Sequence, residues 1–244
     1  MSIKFRTENG IVVPSVTMEQ MIEVDRIAVE ETGPNLYQMM ENAGRSLSQL
    51  TIETLGENWK NSKIIVLAGT GGNGGGGICA ARHLANRGAN VKVCLTEPER
   101  LKDVTAFQLH ILKSTNAKII SIEELQNGKP DLIIDAIIGY SLMGEPKGNS
   151  LELIKWASNQ QGIVISLDIP SGINSTTGDV ACNYIKPDLT LTLALPKTGL
   201  LPSLTGELYL ADIGIPNKVY EELNLKYQQP FNHNYYVKLI SEIL

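Results

Sequence analysis

The chain lacks several things, and each lack narrows its class. Only three of its 244 residues are cysteine (Cys79, Cys94 and Cys182). The number is odd, the spacing wide and no CxxC occurs, which argues against a disulfide framework or a zinc cluster. There is no basic excess: 21 Lys and Arg face 26 Asp and Glu, a net charge of −5. Proteins whose main partner is the nucleic-acid backbone usually carry a basic stripe, so that class is disfavoured. No apolar run approaches the roughly 20 residues of a membrane span. The start, MSIKFRTENG, has no apolar h-region and is not Arg-rich, so neither a secretion signal nor a transit peptide is visible. A soluble cytoplasmic protein is expected.

With 43% apolar and 19% charged residues, the composition suits a globular protein with a sizeable core. No Pro/Ser-rich linker or repeat divides the chain. The simplest parse is one domain over 1–244, with a helical extension at about 1–60, an α/β core at about 61–216 and a tail at 217–244. Thr17 and Gln20 fit a capping box, and Met21, Val24 and Ala28 follow at helical spacing. A second helix follows Asn35, carrying Leu36, Met39, Met40, Ala43, Leu47 and Leu50. From Ser62 strand and helix alternate. IIVLAG (64–69), VKVCL (91–95), AKIIS (117–121), DLIIDAI (131–137), GIVISLDIP (162–170), DLTLTLAL (188–195) and ELYLADIG (207–214) read as strands. Short apolar runs of this kind suit strands buried on both faces, so a mostly parallel sheet with helices on both sides is predicted. The tail after Pro230 reads as irregular, with a last strand or turn at 235–240.

In such a sheet, ligands bind beyond the carboxyl ends of the strands. Each notable motif falls there. Seven of the nine residues from Gly69 to Gly77 are glycine, and the run stands between a strand and a helix. As a loop it brings bare backbone amides to an anion, with the helix dipole behind them. Gly69, Gly71 and Gly74 satisfy GxGxxG, and Glu97 ends the second strand where a ribose-binding acid would stand, so an NAD-dependent dehydrogenase is one reading. Any run so rich in glycine matches that pattern. No Gly-Lys-Ser/Thr follows, which excludes a P-loop, and no serine sits in GxSxG. Asp135 and Asp168 each end a strand, Asp168 within Asp168-Ile169-Pro170-Ser171-Gly172. Two carboxylates converging on the glycine run can bind a cation or move protons. Hard oxygen from Asp135, Ser171 and Asn73 suits Mg, Ca or an alkali ion. His83 reads as structurally satisfied. Lys197 follows a strand and could face an anionic group, although a lone lysine is more often solvated.

Together these segments resemble the YjeF N-terminal domain family, the NAD(P)H-hydrate epimerases, whose eukaryotic members are also called apolipoprotein A-I-binding proteins. The resemblance runs from about Thr17 to Pro216. Met40-Glu41-Asn42-Ala43-Gly44 resembles the family's early helix, and the glycine run with Ala80-Ala81-Arg82-His83-Leu84 its GNNGGDG…ARHL segment. Ile134 to Gly139 resembles VDA-F-G, Asp168 to Gly172 the DIPSG, and Leu195-Pro196-Lys197 and Asp212 to Pro216 two further segments.

The resemblance implies a Rossmann-like three-layer αβα fold, often a homodimer, with a potassium ion near the substrate. It places the ion on Asn73, Asp135 and Ser171. It places the substrate, hydrated NADH or NADPH (NAD(P)HX), on Gly72, Asn73, Gly74, Gly75 and Gly76, on Gly139, Tyr140, Ser141, Leu142, Met143, Gly144 and Glu145, and on Asp168. The implied activity is epimerisation of the R and S forms at C6, so that a separate dehydratase specific for the S form can act. Asp168 is the expected acid–base group, and Asp168→Asn is expected to abolish catalysis and leave the fold intact. One departure stands out: the family's GGDG aspartate is Gly76 here, and its first Asn is Gly72. Two cases follow from it, an enzyme that dispenses with that carboxylate or a non-catalytic relative that binds a nucleotide or a protein.

Overall fold

A computed structural model describes residues 3–125 and 129–243. The chain opens with strands β1 (Ile3–Thr7) and β2 (Val12–Val13), then helices α1 (Met18–Ile27) and α2 (Leu36–Leu55). Strand and helix then alternate: β3 (Lys63–Ala68), α3 (Gly72–Asn86), β4 (Asn90–Leu95), α4 (Asp103–Leu112), β5 (Lys118–Ile120), α5 (Ile122–Leu125), β6 (Leu132–Ala136), α6 (Gly148–Ser158) and β7 (Ile163–Leu167). β8 (Leu189–Leu193), α7 (Pro202–Thr205), β9 (Glu207–Ala211), α8 (Asn217–Glu222) and β10 (Tyr236–Ile243) follow. The capping box at Thr17 is formed: Gln20 N donates to Thr17 Oγ1 at 3.3 Å and Thr17 N to Gln20 Oε1 at 2.9 Å.

All the strands lie in one sheet, ordered β2-β1-β10-β9-β8-β7-β6-β3-β4-β5. From β9 to β5 every pairing is parallel. Alternate side chains enter two cores, as burial on both faces requires. Ile64, Val66 and Ala68 pack with Leu47 and Leu50 of α2, Ile78 and Leu84 of α3 and Leu109 and Leu112 of α4. Ile65 and Leu67 pack with Leu125 of α5 and Leu153, Ile154 and Ala157 of α6. The result is a three-layer αβα fold.

Two expectations need correction. Residues 1–60 are not simply helical, because β1 and β2 precede α1. β1 pairs antiparallel with β10, which pairs antiparallel with β9, so the tail is a strand carrying the N-terminal pair. The glycine run is a loop only from Gly69 to Gly71. α3 begins at Gly72 and absorbs the remaining glycines into its first two turns.

Helix propensity opposes glycine there, by about 1 kcal/mol per residue against alanine. Close packing overrides it. A Cβ on Gly77 would lie 2.5 Å from Ala136 Cβ, and one on Gly75 would lie 2.4 Å from Met40 Sδ. Stripped of side chains on that face, α3 approaches the sheet and α2 more closely than an alanine helix can. An ionic knot adds to the α2–α3 contact. Glu41 bonds Arg82 and, at 2.7 Å, the His83 ring. Burial lowers the His83 pKa and pushes the Cys79 thiol beside it up to about 12.

These contacts separate two glycines by test. Gly77→Ala is expected to destabilise by about 1–3 kcal/mol through overpacking. Gly72→Ala, whose Cβ meets nothing within 4 Å, should be neutral or stabilising by up to about 1 kcal/mol. Urea unfolding of the two variants checks both signs.

Candidate active site

The chain runs outward from β3 to β4 and β5, then returns to β6 on the other side of β3. Loops leaving β3 and β6 therefore part in opposite directions, which opens a crevice beyond their carboxyl ends. A cavity of about 620 Å³ lies there. Its lining includes Gly71, Gly72, Asn73 and Gly76 around the start of α3, then Gly139, Tyr140 and Ser141 after β6. Asp168 after β7, Lys197 after β8, Asp25 of α1, and Glu97 and Lys102 after β4 are its charged groups. The Gly69 amide donates to Ala136 O at 3.0 Å, and a Cβ on Gly69 would fall 2.0 Å from Ile137 O. Glycine is required at that crossing. Beyond it, the first amides of α3 have no intrahelical acceptor and face the cavity as an anion site.

Asp168 is the centre of this site. Its φ is +67°, a left-handed backbone that non-glycine residues rarely adopt. The turn aims its carboxylate inward, where it is only 3% exposed. Oδ2 accepts from Tyr140 N at 3.1 Å; Oδ1 accepts from Leu193 N at 3.4 Å and from the Lys197 ammonium. Lys197 is not solvated but 1% exposed, and its Nζ also donates to Leu193 O at 2.9 Å. A charge so deep requires a partner, and Asp168 supplies it. The turn that delivers Lys197 is clamped by the N-terminal segment: Val16 N donates to Pro196 O and Thr198 N to Val16 O, both at 3.0 Å.

Tyr140 links Asp168 to a carboxylate that sequence reasoning missed. Its hydroxyl donates to Asp25 Oδ2 at 2.6 Å, and its carbonyl accepts from Ser175 Oγ at 2.6 Å. Burial raises the Asp25 pKa; the Asp168 charge adds to this, while the Tyr140 hydrogen bond and Lys197 oppose it. Tyr140 is pushed far upward, by burial first and then by Asp25, and stays a neutral phenol. Asp25 follows a helical period among Glu23 and Arg26, with no local signal to mark it.

Asp135 lies behind this layer, fully buried. It accepts from Ser171 Oγ at 2.6 Å, Ser171 N at 2.9 Å, Ser166 Oγ at 2.8 Å and Ile137 N at 3.3 Å. Burial raises its pKa against those bonds. Ser171 Oγ accepts from Ile138 N at 2.9 Å, which ties it to the Gly139 loop. The Asn73 amide flanks that loop from the other side, and both its polar atoms are buried without a hydrogen-bond partner. An orphaned amide among neutral and anionic oxygens fits a hard cation of low charge.

Other candidates lie elsewhere. Gly74 and Gly75 are buried in the body of α3. Leu142, Met143, Gly144 and Glu145 are absent from the cavity lining: Met143 is 85% exposed, and Glu145 turns away to accept from Cys182 N at 3.1 Å. The loop bends at Gly144, whose φ is +72°. Glu97 reaches the cavity rim but is held by Arg100 at 2.9 Å.

A crevice at a switch point, a helix start facing it and a buried acid–base cluster define an α/β protein with a cavity suited to an anionic small molecule. Residues 36–199 match the model of the YjeF-related protein N-terminus, and the chain belongs to that family. The NAD(P)H-hydrate epimerase of Dehalogenimonas lykanthroporepellens is 50% identical over 240 residues, 98% of both chains. That of Elusimicrobium minutum is 32% identical over 84% of this chain and 97% of its own. A bifunctional NAD(P)H-hydrate repair enzyme of Moorella thermoacetica is 35% identical, and the match spans only 41% of its length. The yeast protein ynu0, 24% identical, has the same fold, with a TM-score of 0.80 over 93% of this chain and all of the other.

Two outcomes test the site. Lys197→Met leaves Asp168 as an uncompensated buried charge, and should cost about 3–5 kcal/mol in urea unfolding. Asp25, raised above its ordinary 3.8, keeps a proton in the folded state that the unfolded chain releases. Stability contributed by this group therefore falls as pH rises from that value through the raised one. Asp25→Asn removes the fall, so the variant should gain on the wild type as pH rises above about 3.8.

Proposed function

We propose that the protein is an NAD(P)H-hydrate epimerase, interconverting the R and S forms of hydrated NADH and NADPH as metabolite repair. The observation that carries this reading is the 50% identity to such an epimerase over 98% of both chains, on a cavity whose polar groups suit the chemistry. Water added across the nicotinamide 5,6 double bond leaves a hydroxyl on C6 beside the ring nitrogen. Such a carbinolamine inverts once that hydroxyl is lost and regained.

In this reading the diphosphate of the substrate lies against the amides at the start of α3, which point outward from Gly71 and Gly72. The hydrated ring enters toward Asp168. Asp168 moves a proton at the C6 hydroxyl, and Lys197 fixes the carboxylate while excluding water from its inner side. The reaction also proceeds unaided in water, so acid–base catalysis of about 10²–10⁴-fold per positioned group supplies a useful acceleration. A potassium ion would be held by Asn73, Asp135 and Ser171, and would supply positive charge near the bound dinucleotide. The S form is then consumed by a dehydratase, a pairing suggested by the bifunctional relatives.

Chiral chromatography of R-NADHX in potassium buffer, corrected for the spontaneous rate, tests the activity directly. Rapid approach to the R/S equilibrium is expected. A rate equal to buffer favours a non-catalytic relative instead, with Gly76 the first position to suspect. A carboxylate there has to displace the buried end of Leu167, which lies 2.8 Å from where a Cβ on Gly76 would fall. Asp168→Asn should lower the rate by at least about 10²-fold. It also strands the Lys197 charge, so its folding is to be confirmed in parallel by circular dichroism. Asn73→Ala should weaken the potassium dependence of the rate and leave a residual activity in sodium.

A further inference from the structure

Besides Glu97, which Arg100 holds at the rim, two carboxylates face the cavity. Asp168 touches the backbone amide of Tyr140 at 3.1 Å, and Asp25 takes the hydroxyl of the same residue at 2.6 Å. They therefore hold opposite ends of one residue, its backbone amide and its phenol hydroxyl. Lys197 completes the group, with its Nζ 5.7 Å from the Tyr140 ring centroid. The two acids are bound very differently. Asp168 is buried and surrounded by donors from Tyr140, Leu193 and Lys197. Asp25 is half-buried and takes its hydrogen bond from Tyr140 on Oδ2. We propose that Asp25 is a second acid–base group of the reaction, serving the face of the nicotinamide-derived ring opposite to the one Asp168 serves.

The proposal rests on the epimerase reading and deepens it. Inversion requires the C6 oxygen to leave from one face and a new one to arrive on the other, and a single fixed carboxylate addresses one face. In one direction a carboxylic acid gives its proton to the C6 hydroxyl. The C6–O bond breaks, water departs with the bonding pair, and the N1 lone pair forms a C6=N1 iminium. On the other face the second carboxylate takes a proton from a water molecule whose oxygen bonds C6, while the π pair returns to N1. One water leaves and one enters, one carboxyl loses a proton and the other gains one, and nothing is oxidised or reduced. The two acids exchange roles in the reverse direction, and proton exchange with solvent resets them. Burial displaces the Asp25 pKa upward, the direction that suits a group that must carry a proton.

The test uses R-NADHX labelled with ¹⁸O on C6, in unlabelled potassium buffer. Inversion is followed by chiral chromatography and label loss by mass spectrometry, both corrected for the spontaneous rates. Wild-type protein should lose label and invert together. Asp25→Asn should invert at least about 10²-fold more slowly yet still lose label, because oxygen can leave and return on the Asp168 side. Asp168→Asn, by contrast, should lose both. Inversion at the wild-type rate in Asp25→Asn overturns the proposal, and so does a parallel fall of inversion and label loss. Should Asp25→Asn not fold, Tyr140→Phe decides: it keeps the carboxylate but frees it from its orienting hydroxyl. Inversion should then drop about tenfold with label loss retained, and unchanged inversion overturns the proposal. An inert wild-type chain overturns the epimerase reading itself; an active wild type with an unaffected Asp25→Asn overturns only the role of Asp25.

Discussion

A charge cannot be left alone in a protein interior, and the pairing of Asp168 with Lys197 is the requirement around which this cavity is arranged. Asp168 must stand in a left-handed turn to point inward from the end of β7. Lys197 must then come from the turn after β8 to meet it, 29 residues further along the chain. That turn is in turn held by Val16, through a hydrogen bond on each side. The first residues of the chain are thus mechanically part of the site, although none of them lines its floor beside Asp168.

The glycine run solves a different problem. Anion binding needs a helix start close to the sheet's edge of departure, and side chains on the inner face of α3 would hold it away. Replacing them with hydrogen lowers the helix's intrinsic preference and raises its packing. Contacts with Met40, Leu167 and Ala136 occupy the space a Cβ would take. The same feature leaves Gly71 and Gly72 bare toward solvent. One composition therefore serves packing at its end and recognition at its beginning.

Much of this was legible in the sequence, for reasons that can be named. Strands β3, β6 and β7 are buried along nearly their whole length and so read as apolar runs, and the ends of β6 and β7 mark Asp135 and Asp168 without further information. Asn73 and Ser171 stood out by chemistry beside them. The strand Ile3–Thr7 was missed because its long partner is β10, more than 200 residues away in the chain, and β2 on its other side is only two residues long. Alternation in IKFRT has no weight until that partner exists. The glycine run misled because propensity favours a loop and only tertiary packing overrules it. Lys197 was misjudged and Asp25 unseen for one shared reason: what distinguishes each is a partner brought by the fold, Asp168 for the first and the Tyr140 hydroxyl for the second.

The edge of the sheet has a bearing on how such a chain can be joined to others. β10 runs antiparallel to β9, and Ile3 stands opposite Ile243 in the register of β1 and β10. Both ends of the described chain consequently leave from one corner, at the amino ends of the parallel strands, and the cavity opens at the carboxyl ends. A second enzyme tethered at either terminus would hang from the floor of the molecule with the doorway clear. Fusion in either order is then sterically equivalent for the traffic of substrate, which suits a fold whose relatives include two-enzyme chains.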